Sequence, residues 1–264
     1  MWTRSEIKAK AKAAYKDNYW KSVLVALLIT LFIGSASSGV ASTAVTGAGG
    51  PEGSAAAVSG ASVTQTVVEG AATSVPLSET EMQALGVVIP LVLLAFVALI
   101  ALLFAMEALL VNPLEVGARR FFVQNLHSQA QVREVAYAFD HGYRNTVKTL
   151  FARDMRVIGW GLLLVVPGIV KSYEYRMVPY LLAENPQLGT KEAFALSKRL
   201  MAGNKWRTFV LDLSFLGWHL LGLLTLGAVE LLVAAPYAAQ TEAELYEQLR
   251  YGDGMPELAA PHEA

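Results

Sequence analysis

The stretch GLLLVVPGIVKSYEYRMVPYLLAENP, Gly161 to Pro186, is apolar enough for a lipid bilayer, yet Lys171, Glu174 and Arg176 stand in its middle. The segments on either side are basic: Arg144, Lys148, Arg153 and Arg156 precede it, and Lys191, Lys198, Arg199, Lys205 and Arg207 follow. Excess lysine and arginine marks the cytoplasmic side of a membrane. A chain that is cytoplasmic both before and after this stretch crosses twice or not at all. The Pro167, Gly168 pair is the natural point of reversal. The stretch therefore reads as a helical hairpin, with its charges on the returning limb.

The rest of the chain supports a membrane setting. Of 264 residues 54% are hydrophobic and 16% charged, against about 25% charged in soluble domains. Between Lys21 and Arg119 there is no lysine or arginine, so the intervening loop is expected outside. Residues 40–80 are mostly Ala, Gly, Ser, Thr and Val and lack the large apolar side chains of a core, which predicts a low-complexity extracellular excursion. Ser22 to Ile33, extended through small residues to about Ser38, is the first spanning candidate. Its alternative reading is the apolar core of a cleaved signal peptide, against which the long, helically patterned segment before it argues. Leu85 to Val111 is the longest apolar run and returns the chain inside.

Thr3 to Trp20 reads as an amphipathic helix, with Thr3 and Glu6 spaced as a capping box. Ile7, Ala11, Tyr15 and Tyr19 form one stripe and Lys8, Lys12 and Lys16 another, as in a helix lying on an anionic leaflet. On the inner side, Val132, Val135, Ala136 and Phe139 predict a short docked helix. Thr190 is placed to cap a helix carrying Ala193, Phe194, Leu200 and Met201, with Gly203 at its end. The block from Thr208 to Ala239 is too long for one upright span, so Arg207 to Leu226 goes out and Ala228 to Arg250 returns. The expected fold is all-α: a polytopic membrane helix bundle of about six membrane helices, or alternatively four full spans plus a re-entrant hairpin. It forms one domain over residues 1–250, with a cytoplasmic tail at 251–264 and both termini inside.

Charges at matching depth define the candidate site. Arg176 and Asp212 each lie roughly 8 to 12 Å from the inner end of their helices at 1.5 Å per residue, so they are expected to pair. Lys171 is expected to pair with Glu174 or Glu230. An unpaired charge at mid-membrane costs at least about 2.5 kcal/mol, so this polar network either fixes helix register or lines a cavity. The aromatic residues Trp160, Tyr173, Trp206 and Trp218 suit an interfacial belt.

Other chemistries are not represented. There is no cysteine, and the four histidines, His127, His141, His219 and His262, lack metal-binding spacing. No catalytic residue, metal or cofactor is expected, and the near-zero net charge gives no basic footprint for nucleic acid. SEIKAKAKAAYKDNYWKSVLVALL at the N-terminus, VVPGIVKSYEYRMVPYLLAENP in the centre, and ALSKRLMAGNKWRTFVLDLSFLGWHLLGLLTLG with APYAAQTEAELYEQL resemble the bacterial integral membrane family catalogued as domain of unknown function 975 (DUF975). The resemblance implies a multi-pass protein of the bacterial plasma membrane and carries no activity or site residues. The expected partners are the bilayer, through its anionic cytoplasmic leaflet, and another membrane protein. The expected function is non-catalytic: a scaffold, regulator or protective component. The alternative is a transporter or lipid-handling protein with a polar intramembrane cavity.

Overall fold

The computed structural model describes residues 2–32 and 79–252, and among them every regular element is helical. Most of the 40–80 loop and of the tail lies outside the described residues. The chain divides into two compact units, residues 39–105 and the remainder.

In the first of these units the helix α3 (Glu79–Met106) runs 28 residues, with Pro90 inside it, and its side chains from Gly86 onward are exposed. By length and composition two stretches are able to cross a membrane, Gly86–His127 and Lys205–Leu224. The described residues thus contain two such stretches where six membrane helices are expected. The Tyr19–Thr30 segment is apolar but shorter, and the opening stretch breaks into pieces too short to span.

The other unit holds α1 (Arg4–Asp17), α2 (Tyr19–Phe32), α4 (Asn112–His127), α5 (Tyr137–Asp140), α6 (Tyr143–Leu163) and α7 (Val165–Glu174). It continues with α8 (Val178–Glu184), α9 (Thr190–Met201), α10 (Lys205–Leu213), α11 (Leu216–Leu224) and α12 (Ala235–Tyr251). Its core is aromatic at the centre: Phe121 and Phe122 of α4 are fully buried with Tyr180 and Tyr246, whose rings stack at 4.9 Å. A buried amide chain ties three elements together. Asn18 donates to Asn125 at 2.8 Å, Asn125 donates to Gln240 at 2.9 Å, and Gln240 donates to the Phe122 carbonyl at 2.9 Å.

Helix α1 starts as its sequence predicts, with Thr3 Oγ1 accepting from the Glu6 amide. Its apolar stripe, expected to face lipid, is buried instead: Ile7, Ala11 and Tyr15 are covered as α1 packs along α12. The physical reason is that α12 offers an apolar face of its own, and α1 is further tied to a π-helical turn, Glu230–Ala234, that precedes α12. Such a turn disturbs the ordinary backbone ladder, and the Leu232 carbonyl accepts from the Tyr15 and Tyr19 hydroxyls at 2.9 and 3.2 Å. A second π turn, Glu107–Val111, is met in the same way, by Tyr143 on the Leu109 carbonyl at 3.0 Å.

The opening stretch is a hairpin of α6 and α7, but it reverses at Leu164, whose backbone is extended (φ −156°, ψ 131°). Pro167 sits in the first turn of α7, where its missing N–H leaves no bond unmade. Gly168 serves close approach: a Cβ on it would lie 2.6 Å from Gly161 Cα and 2.9 Å from Gly161 N. Gly168→Ala is expected to splay this hairpin and cost about 1 to 2 kcal/mol, read as a lower thermal midpoint of the purified chain. An unchanged midpoint would show that the two limbs separate freely.

The second half of the stretch departs further from expectation. Tyr175 to Met177 form a turn, and α8 follows with Pro179 in its first turn. Val178 to Ala183 are buried against α4, α9 and α6, so this apolar run belongs to the protein interior and not to lipid. The tip of the hairpin is the reverse: Leu162 is 84% exposed, and Leu163, Leu164, Val165 and Val166 are exposed beside it. A second reversal takes Leu226 (φ 52°) and Gly227 (φ 88°), and Leu223, Leu224 and Leu226 around it are likewise exposed.

On the basic side, Val132–Ala136 is a 3-10 turn leading into α5; Val135 is buried, while Ala136 and Phe139 are exposed. Helix α9 is capped by Gly189, one residue before Thr190, whose hydroxyl is paired with Thr149 at 2.8 Å. Ala193, Phe194, Leu200 and Met201 are buried as a face, and Gly203 turns with φ 76°.

Candidate functional site

The Arg176 side chain leaves the turn between α7 and α8 and reaches two helices at once. Its Nη2 donates to Asp212 Oδ1 of α10 at 3.0 Å, and its Nε donates to Glu242 Oε1 of α12 at 2.6 Å. The expected Arg176–Asp212 pair is therefore present, with a second carboxylate added. Tyr173 completes the Asp212 end, donating to Oδ2 at 2.7 Å.

Beyond Glu242 the charges continue to alternate. Glu242 Oε2 also accepts from Arg119 Nη1. Arg119 Nη2 lies 3.5 Å from Glu115 Oε1, one turn away on α4. Glu115 Oε2 accepts from Arg153 Nη2 of α6 at 2.9 Å, and Arg153 Nε donates to Asp154 Oδ1 at 2.8 Å. Asn112 closes the series on Asp154 Oδ2 at 3.2 Å. Three arginines and four carboxylates thus form one ladder joining α4, α6, α10, α12 and the α7–α8 turn.

Every carboxylate of the ladder is engaged by at least one arginine. Asn112, Glu115 and Arg119 share one face of α4 because they recur at helical spacing. Arg119 also donates to the Tyr180 hydroxyl at 3.2 Å. At the basic end, burial pulls the Arg153 guanidinium down, and Glu115 and Asp154 more than offset it, so its pKa lies above the ordinary value. Burial lifts the Asp154 carboxyl above its ordinary value against the pull of Arg153. Each guanidinium is held charged by carboxylates that are themselves engaged, an arrangement suited to holding helices in register.

A small cavity abuts the ladder, lined by Arg119, Arg176, Asp212, Glu242, Leu211 and Phe215 among others, with about 140 Å³ of space for water. Pockets for organic ligands usually measure roughly 300 to 1,000 Å³.

Lys171 and Glu174 form a separate cluster. Lys171 Nζ lies 3.1 Å from Glu174 Oε2, as expected for one of its two alternatives, and two lysines not anticipated from the sequence join it. Lys198 Nζ lies 2.8 Å from Oε1 and Lys205 Nζ 3.1 Å from Oε2. Glu174 is buried, at 4% exposure. Glu230, the other candidate partner of Lys171, is elsewhere: its carboxylate meets His219 Nδ1 at 2.9 Å across the second hairpin.

Sequence depth-matching found the Arg176–Asp212 contact because both positions are counted from helix ends. It missed Glu242, Arg119, Glu115 and Arg153: the two arginines count there only as cytoplasmic charge, and the two glutamates give no signal of a partner. Among the described residues no His, Asp and Glu group is arranged to hold a metal ion.

No curated protein and no solved structure matches the chain. A family model does match, over residues 142–252, a range that holds Arg153, Asp154, Arg176, Asp212 and Glu242 of the ladder and the whole lysine cluster. Asn112, Glu115 and Arg119 lie outside it, as does the N-terminal segment that resembles the same family. The matched model is that of the family described as Protein of unknown function (DUF975), the same family that the sequence resembles.

Proposed function

We propose that the chain is a non-catalytic component of the bacterial plasma membrane, a scaffold or regulator of another membrane protein, with both termini on the cytoplasmic side. The observation that carries this reading is a contrast within one unit. Its interior charges are consumed by one another in the ladder, while the tips of its two hairpins leave Leu162 to Val166 and Leu223 to Leu226 uncovered. Acid–base or transport chemistry calls for polar groups with free valences around a solute-sized space. Contiguous exposed apolar surface calls for a lipid or protein neighbour.

The uncharged run 157–170 reaches only about 10 Å beyond Arg156 and Lys171 at 1.5 Å per residue. That is a third of a hydrocarbon core of about 30 Å. The first hairpin therefore enters one leaflet and returns, which keeps the basic segments before and after it on the same face. The second hairpin reaches deeper, since α10 and α11 together cover Lys205–Leu224.

The cavity beside Arg176 and Asp212 favours a second reading, a carrier of a small solute or a lipid headgroup. Substitution separates the two. Under the scaffold reading, Arg176→Met lowers the thermal midpoint and the membrane yield, and Arg176→Met with Asp212→Leu recovers at least half of the loss. Apolar replacement of a buried pair is commonly tolerated, whereas removal of one partner is not. A double variant that is stable and well expressed but fails to complement a deletion strain would replace the scaffold reading with the carrier.

A further inference from the structure

The geometry points to a binding site for the phosphate of an anionic phospholipid at Lys171, Lys198 and Lys205, organised by Glu174. The inference rests on the membrane reading above. Three ammonium groups converge on one carboxylate, at 2.8 to 3.1 Å, and leave two positive charges uncompensated. Among the described residues Glu174 is the only acceptor recorded for these three groups. Each ammonium has three donors, so several remain for a ligand. Lys198 is 54% exposed at its side chain and Lys205 34%, so the cluster is reachable.

An ordinary surface pair would be one lysine on one carboxylate, worth little and swept by solvent. Here a buried carboxylate holds three lysines from α7, α9 and α10 that would otherwise repel one another. Lys171 and Glu174 lie in the last turn of α7, where the helix favours cations, and Glu174 draws Lys198 and Lys205 to the same point. The result is a preorganised cationic cradle with its counter-charge beneath it. A phosphodiester, with two charged non-bridging oxygens, fits such donors.

The setting selects a lipid over a free anion. Lys171 directly follows the uncharged run 157–170, whose Val166, Ile169 and Val170 are exposed, so the cradle sits where acyl chains would end and headgroups begin. Lys171 lies 5.8 Å from the centroid of Trp160, and Trp206, beside Lys205, is 72% exposed. Tryptophan prefers that depth, and lysines snorkel to it.

The test uses the full chain in detergent, titrated with dioleoyl phosphatidylglycerol or dioleoyl phosphatidylcholine and read by native mass spectrometry. Phosphatidylglycerol is expected to bind the unaltered chain at least tenfold tighter than phosphatidylcholine. Lys198→Gln with Lys205→Gln should weaken phosphatidylglycerol about tenfold and leave phosphatidylcholine unchanged, in line with the contribution of a lysine near an anionic surface. Arg133→Gln with Arg144→Gln, which removes the same charge from exposed positions outside the cluster, should leave both lipids as they were. Equal binding of the two lipids, or equal weakening by this control variant, overturns the site. Displacement of phosphatidylglycerol by 10 mM inorganic phosphate, about tenfold or more, overturns the lipid as its ligand and assigns the cradle to a free anion. Alkaline carbonate extraction of bacterial membranes distinguishes the levels. A chain released into the supernatant fails the membrane reading, and one retained without a lysine-dependent preference fails the lipid site alone.

Discussion

Glu242→Ala is expected to destabilise the chain by about 3 to 5 kcal/mol, the range for removing one partner of a buried charge network. Glu242 meets two arginines from different elements, Arg176 through Oε1 and Arg119 through Oε2. Its side chain is 13% exposed. Deleting it leaves Arg119 with Glu115 at 3.5 Å and strands the Nε of Arg176. It also removes the charged link from α12 to Arg119 of α4 and to Arg176 of the α7–α8 turn. Glu242→Gln keeps the volume and one good acceptor, so about half that loss is expected. Asp212→Asn should cost less still, because Asp212 is 36% exposed and water replaces part of what is lost. Urea or thermal unfolding of the detergent-solubilised chain, followed by intrinsic fluorescence, gives the ranking. Equal, small losses for all three would falsify the ladder as a clamp.

Gly117→Ala is expected to cost about 2 to 3 kcal/mol although it replaces glycine by the best helix former within a helix. Propensity alone favours alanine there by about 1 kcal/mol. Packing reverses the sign: a Cβ at Gly117 would stand 1.9 Å from the Val135 carbonyl oxygen, 2.4 Å from its carbon and 2.8 Å from the Glu134 oxygen. These are backbone atoms of a 3-10 turn, not the far end of a flexible side chain, so the turn as a whole must move off α4. That movement also strains Glu134, which accepts from Arg120 at 2.9 Å. Overpacking of this kind typically costs 1 to 3 kcal/mol, and occasionally more. Gly159→Ala is the internal control, because a Cβ there meets nothing within 4 Å and the propensity gain of up to about 1 kcal/mol should be realised. Opposite shifts in unfolding midpoint for the two variants are the expected result; a gain at both positions would mean that the turn does not press on α4.

The legible parts of this protein were those that depend on a few neighbouring residues. Thr3 and Glu6 announced the start of α1, and Gly203 marked the end of α9. Gly227 lies at the second reversal, and Arg176 and Asp212, counted from their helix ends, meet. The illegible parts required knowing which apolar surface another element covers. The stripe of α1 is the same whether it faces acyl chains or α12, since both are apolar. Only the presence of α12 and the Leu232 carbonyl decides. The run from Met177 to Ala183 has the hydropathy of a membrane limb and is a core helix, because the turn at Arg176 redirects it against α4.

Composition and charge order by themselves determined the helical character of the described residues, the Arg176–Asp212 contact and the reversal within Gly161 to Pro186. The contact and the reversal follow from local spacing and from the cost of isolated charge in an apolar setting. Tertiary structure alone decided that the reversal falls at Leu164, that Glu242 and Arg119 extend one ion pair into a ladder, and that Lys198 and Lys205 converge on Glu174. The reason is physical: these groups are brought together by helix packing from positions 20 to 120 residues apart, roughly, and a long-range contact leaves no periodic trace in the sequence around either partner.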